Sequence, residues 1–273
     1  MKIYALLSVK NEIDIIAYSL REASKWADKI FILDNGSTDG TWELIQSMAN
    51  EKIIPWRQDN KVFYRGIRLE IFNEFRDIAT ESDWWCIMDT DEFYIDDPRE
   101  FLNKISSRYS VICTNTIEYV ITTQDVEQYS YSGNFEDDKE KIRYYKNIGW
   151  VETRFFRHRK NMSWPYPEKL PVHIGPQCPD RIKVKHYPLR SPDQIQVRLD
   201  TRNAAVKGGY EGWLHNRQTR WEEKIVNPKG YHYDKLDGEY VFDTEAVNLF
   251  PRSLRFKVVN SLKYILIRTG IWK

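Results

Sequence analysis

The chain has 273 residues, enough for one large α/β domain or one domain with an elaborated second lobe. Its 41 Lys and Arg against 40 Asp and Glu leave a formal net charge of +1, which argues against a nucleic-acid binder. Cys86, Cys113 and Cys178 lack CxxC spacing, so neither a zinc site nor a disulfide scaffold is expected, and a reducing cytoplasm is. The chain is rich in Trp, Tyr and Phe, most of which should build core, though aromatic surfaces also stack on sugar rings and bases.

In chain order, Lys2–Val9 reads as a buried strand, without the basic start and long apolar stretch of a signal peptide. Ile13, Ile16, Ala17, Leu20 and Ala23 follow at helical spacing. Lys29–Asp34 is a second apolar strand, closed by Asn35-Gly36-Ser37-Thr38-Asp39-Gly40, a segment dense in turn formers and helix caps. Trp42, Ile45 and Met48 form one helical face, and Ile53–Trp56 a weaker strand whose proline suits a sheet edge. Ile67, Ile71, Phe72, Phe75 and Ile78 again hold helical spacing and lead into the strand Trp84–Met88. This alternation predicts a mainly parallel, doubly wound α/β sheet flanked by helices.

Beyond that strand, Pro98–Ser106 should be a short helix and Ser110–Ile121 a strand. Asp125–Glu140 is polar and is expected to be a mobile loop. Trp150–Arg159 reads as a strand followed by basic residues. Asn161–Pro192 carries most of the prolines and is expected to be an irregular segment shaping a pocket. Ser191-Pro192-Asp193 marks a helix start. No apolar run is long enough to span a bilayer. Residues 252–273 hold six basic residues and no acid among regularly spaced apolar ones, which allows either a helix packed on its own domain or a peripheral contact with the inner face of a membrane.

The chemistry centres on Asp89-Thr90-Asp91-Glu92. An apolar strand drives straight into these acids, and buried carboxylates need a cation. Residues two apart in extended chain project to the same side, so Asp89 and Asp91 aim at one point. Oxygen ligands held this way suit Mg2+ or Mn2+, and strand carboxyl ends are where open α/β sheets bind ligands. A surface turn that happens to be acidic is the bland alternative.

Two blocks, Ile32-Leu33-Asp34-Asn35-Gly36-Ser37-Thr38-Asp39-Gly40-Thr41 and Met88-Asp89-Thr90-Asp91-Glu92-Phe93, together resemble the GT-A glycosyltransferases of the family 2 type, with Val9-Lys10-Asn11-Glu12 as a variant of that family's early Asn-Glu loop. The similarity covers roughly residues 1–105. It implies a Rossmann-like nucleotide-sugar-binding half (1–105), an irregular acceptor-binding half (106–215) and a C-terminal helical or irregular extension (216–273). It also implies a nucleotide-diphosphate sugar donor, a UDP-sugar first among them, a Mn2+ or Mg2+ ion, and a glycan or lipid-linked saccharide acceptor with inversion at the transferred carbon.

By this resemblance Asp34 and Asn35 contact the nucleotide base, Asn standing where many members have a second Asp. Asn11 and Glu12 contact the nucleoside or brace the loop. Asp89 lies near ribose or metal, Asp91 is the direct metal ligand, and Glu92 supports them. Asp34 has an alternative role as a helix cap. Arg65 and Arg68 are candidates to contact the diphosphate, since guanidinium matches phosphate geometry. Arg154-Phe155-Phe156-Arg157 precedes Pro167-Glu168, where members carry a His-Glu pair. Glu168 is thus the expected base and Pro167 a departure. His186 resembles a late metal-ligating His, and His173 is a weaker candidate.

Two other readings compete. A nucleotidyltransferase would want a Gly-rich phosphate loop after the first strand, and Ser8-Val9-Lys10-Asn11-Glu12 has no glycine. A sugar-binding module without catalysis fits less well with both aspartates in place.

Overall fold

The computed structural model describes residues 1–210, 218–245 and 253–272. Strands β1 (Ile3–Val9), β2 (Lys29–Asp34), β3 (Ile53–Gln58) and β4 (Trp84–Met88) alternate with helices α1 (Ile16–Trp26), α2 (Thr41–Ser47) and α3 (Arg68–Phe75). They lie parallel in the spatial order β4-β1-β2-β3. The Pro55 strand is at the sheet end, where a missing N–H donor is tolerated. Successive residues of β1 supply opposite faces: Ile3, Ala5, Leu7 and Val9 join one core cluster with α1, and Tyr4 and Leu6 join another with α3. Burial on both faces is why these strands are apolar throughout.

The chain then runs through β5 (Glu92–Tyr94), α4 (Pro98–Lys104) and the long β6 (Val111–Val120). Strands β7 (Tyr144–Asn147) and β8 (Thr153–Arg157) pair antiparallel with β6, and β8 joins it to β4. One sheet therefore crosses residue 105 without a break. Helix α5 (Thr123–Gln128) and α6 (Phe135–Asp138) occupy the region expected to be a mobile loop. That expectation is corrected. Thr122 and Asp125 form a reciprocal cap for α5, and buried Phe135 stacks on Phe93 with ring centroids 5.4 Å apart. The polar composition is that of local capping, not of disorder.

The segment 161–192 is also less irregular than expected, because β9 (Gln177–His186) forms inside it and runs parallel to β6. Its inward Cys178, Ile182 and Val184 alternate with exposed or half-exposed lysines, a pattern partly hidden by the prolines before it. Helix α7 (Pro192–Lys207) starts as predicted, with Ser191 Oγ accepting from the Gln194 N–H. After it, β10 (His232–Tyr233) adds to β7, and α8 (Leu254–Arg268) is the last helix. No helix among the described residues is long and apolar enough to cross a membrane.

Candidate active site

Strand register builds the site. Chain reversal after β4 makes β5 antiparallel to β9, with Glu92 opposite His186. The β6–β9 pairing sets Glu118 beside the same histidine. His186 Nε2 lies 3.4 Å from Asp91 Oδ2 and its Nδ1 lies 3.3 Å from Glu118 Oε2. Burial alone would lower the histidine pKa, but these two carboxylates raise it to about 10. Asp91 moves the other way. Against the effect of burial, His186, Arg198 and Arg190 hold its carboxyl well below the usual range. Arg198 Nη1 donates to Asp91 Oδ2 at 3.2 Å.

A second cluster surrounds Arg154, which is buried. Its guanidinium bonds Asp89, Glu92 and Glu152 at once. Ligand atoms of those three acids lie within 4.8 Å of one another, close enough to share a cation, and the arginine already supplies one. Asp89 also bonds Arg68, which in turn donates to the carbonyls of Leu6 within β1 (3.1 Å) and Met88 at the end of β4 (2.8 Å). Arg68 thus ties β1 to the end of β4 rather than standing free for a phosphate. A third cluster joins Arg190, fully buried, to Glu12 and Asp14.

The loops after β1 and β2 are tied together. Asn11, at a φ of +53°, donates its N–H to Ser37 Oγ and accepts from Thr38 N–H through Oδ1, both at 2.9 Å. Glu12 N–H donates to Thr41 Oγ1. Asn35 Nδ2 donates to the carbonyls of Asp59 and Lys61 at 3.0 Å, holding the loop beyond β3. Gly36 is required here, since its φ is +76° and a Cβ would come within 2.7 Å of Asn60. Asp34 is wholly buried and accepts from Ser37 N–H (2.7 Å) and Gln58 Nε2 (3.1 Å) through Oδ1. It braces the turn rather than capping α2, and its Oδ2 has no hydrogen-bond partner among the described residues.

These parts enclose a cavity of about 880 Å³. Of the predicted site residues, Asn11, Glu12, Asn35, Arg65, Arg68, Asp89, Asp91 and His186 line it. Asp34, Glu168 and His173 do not. Glu168 is exposed, while its carbonyl accepts from Trp164 Nε1 and presses on Gly66, where a Cβ would lie 2.1 Å away. His173 stacks on Trp272 with centroids 4.5 Å apart. Arg65 stands at the rim, with Nε 3.3 Å from Tyr210 Oη. Sequence reasoning missed Glu118, Glu152, Arg190 and Arg198. A lone acid within the β-branched run of β6 was the available signal for Glu118, and Arg198 follows the Ser191 cap by two helical turns.

The profile described as Glycosyl transferase family 2 matches residues 5–164. The chain belongs to this family. No curated protein sequence matches it. As a family 2 glycosyltransferase it is built for glycosyl transfer, and members generally use nucleotide-sugar donors and a divalent cation. The match reaches well past residue 105, taking in Glu118, Glu152 and Arg154, and stops before His186, Arg190 and Arg198.

Asp91 and His186 would hold such a cation: Oδ2 and Nε2 lie 3.4 Å apart, and the ion would take the place of the proton that His186 now holds against Asp91. Glu118 behind the ring occupies Nδ1, leaving Nε2 toward Asp91, the usual carboxylate support of a metal-bound histidine.

Proposed function

We propose that this enzyme transfers a sugar from a nucleoside-diphosphate donor to a hydroxyl of a glycan or lipid-linked saccharide, with inversion. The observation that carries the reading is the Asp91–His186 pair on a cavity wall, backed by Glu118 at His186 Nδ1, opposite the braced Asn11 and Asn35 loops. A divalent ion held by Asp91 and His186 would stabilise the diphosphate leaving group electrostatically. Asn11 and Asn35 line the nucleoside side. The Asn35 amide N–H groups are engaged by backbone carbonyls, which leaves its Oδ1 as the acceptor for a base N–H. Arg65 at the rim and Arg198 on α7 offer guanidinium groups to phosphate oxygens.

In the transfer, the acceptor oxygen bonds the anomeric carbon as the bond from that carbon to the diphosphate breaks. The hydroxyl proton needs a carboxylate facing the cavity. Glu152 is such a group, on the cavity wall with its side chain 31 % exposed, and we assign it the base role in preference to exposed Glu168.

The test is thermal stabilisation by a panel of nucleoside diphosphates and their sugars, UDP-sugars first, with and without Mn2+, for wild type and Asp91→Ala. Ligand at about 100 times its dissociation constant should add roughly 2.7 kcal/mol to wild type. Metal-dependent stabilisation by one nucleotide, lost in Asp91→Ala, is the expected result. If no nucleotide stabilises wild type with or without metal, the donor-site reading fails and a sugar-binding module replaces it.

A further inference from the structure

Helix α8 packs a mixed face inward and turns an apolar stripe outward. Its contacts with the rest of the chain run through Asn260, whose Oδ1 accepts from Gln177 N–H at 2.9 Å, Ser261 and Tyr264, which meet Arg108, and Ile267 over Gly175. Asn260, Tyr264 and Ile267 are spaced i, i+4, i+7 and define one face. The opposite face carries Leu254, Val258, Leu262 and Ile265, at i, i+4, i+8, i+11, exposed at 78, 48, 54 and 53 %. A helix that served only to cover its own domain would show the reverse pattern. Basic residues border this stripe, Arg255 on one side and Lys257 and Arg268 on the other, and residues 252–273 contain no acid.

We propose that α8 is a docking element for the surface of an anionic phospholipid membrane. An apolar stripe with a basic border is the form that settles into the headgroup region while its cations meet lipid phosphates. The helix lies on the membrane, since it is too short to cross one. A second copy of this chain is a poorer occupant, because a two-fold contact between α8 stripes would bring the basic borders together with no helix acid to offset them. The position of α8 adds a consequence. It packs where β6 and β9 begin, whereas Glu118 and His186 lie near their other ends, roughly 25 Å away along the strands. Docking through α8 therefore leaves the cavity uncovered and open to ligands arriving from the aqueous side.

Cosedimentation of the full chain with vesicles tests this. Binding is expected to vesicles of phosphatidylcholine mixed with phosphatidylglycerol, and not to phosphatidylcholine alone. Val258→Glu with Leu262→Glu should abolish it. Lys257→Gln with Arg268→Gln should weaken it roughly 30-fold, taking about 1 kcal/mol for each basic residue at the surface. All four side chains are exposed, so the melting temperature should hold. Should the glutamate pair lower it, the glutamine pair carries the test. Equal binding to both vesicles, or binding to neither, overturns the proposal. So does self-association that the glutamate pair abolishes without any vesicle binding, which would assign the face to a second copy.

Discussion

The two halves of the sheet bring mainly opposite charges to the ion-pair clusters on and behind the cavity wall. The parallel half supplies Glu12, Asp14, Asp89, Asp91 and Glu92 from strand ends within the first third of the chain. The antiparallel half and the segments after it supply Arg154, His186, Arg190 and Arg198. Each half alone would carry uncompensated charge, and the pairs that neutralise it cross between them: Arg154 with Asp89 and Glu92, His186 with Asp91, Arg190 with Glu12 and Asp14. Exceptions run both ways: Lys10, Lys61, Arg65 and Arg68 stand on the mainly acidic side, and Glu118, Glu152 and Asp200 on the mainly basic one. The lesson is that the acid motif does not make a site by itself. Its geometry depends on arginines and a histidine that arrive 62 to 107 residues later.

The sharpest way to break this comparison is to remove a cation. Arg154→Met strips three carboxylates of their shared partner, and an uncompensated buried charge typically costs about 3–5 kcal/mol. Urea unfolding should show a loss of that size, against less than about 0.5 kcal/mol for Arg65→Met at the rim. Comparable small losses for both would mean that pairing across the halves does little to hold the fold.

Next comes the proton acceptor. Glu152→Gln is expected to lower the transfer rate by roughly 10²–10⁴-fold at unchanged nucleotide affinity. Glu168→Gln should leave the rate within a few fold, because its side chain is exposed and outside the cavity lining. Rates measured side by side with saturating donor decide it, and the reverse ranking would return the base role to Glu168 and require the 166–169 segment to move inward.

A smaller effect probes the cross-half metal support. Glu118→Gln keeps the shape of β6 but weakens the carboxylate that orients His186. Mn2+ affinity should fall about 10–100-fold, the usual range for such supporting partners. Titration calorimetry with the metal reads this directly. An unchanged affinity would move the ion away from His186.

The first half was legible because its information is local. Strands buried on both faces must be apolar over their whole length, and the helices between them repeat at the proper period. Asp89 and Asp91 do follow β4 directly, but a turn rather than extended chain carries them, and they bond different cations: Asp89 bonds Arg68 and Arg154, Asp91 bonds His186 and Arg198. The Asp34–Gly40 turn announced itself through residues that only such a turn favours, and Gly36 does need its positive φ. The second half was not legible in the same way. Glu118 faces His186 only through the register of β6 on β9, and register is a tertiary property that neither strand states alone. The capped helix at Thr123 and the strand at Gln177 were obscured by polar and proline-rich surroundings. Arg68 shows the limit inside the first half too. Its position before a helix suggested phosphate, yet its guanidinium is taken up by two carbonyls and Asp89.

The finest test of the comparison uses pH on Glu12, an acid of the first half held against two arginines of the second. Burial pushes its carboxyl up to about 7, aided by Asp91 and Asp14 and opposed by Arg190 and Arg198. In the unfolded chain the same group titrates near its ordinary value of about 4.3. The native state therefore binds this proton more tightly. The resulting advantage is complete below about pH 4 and is lost as pH rises through about 7. Glu12→Gln removes that dependence, so its stability relative to wild type should be on the order of 2 kcal/mol better at pH 8 than at pH 4. Melting curves at the two pH values measure the difference. A variant that instead loses stability at pH 8 would show that Arg190 and Arg198 gain more from a charged Glu12 than its burial costs, and the charges of the two halves would then be more tightly matched than the raised pKa implies.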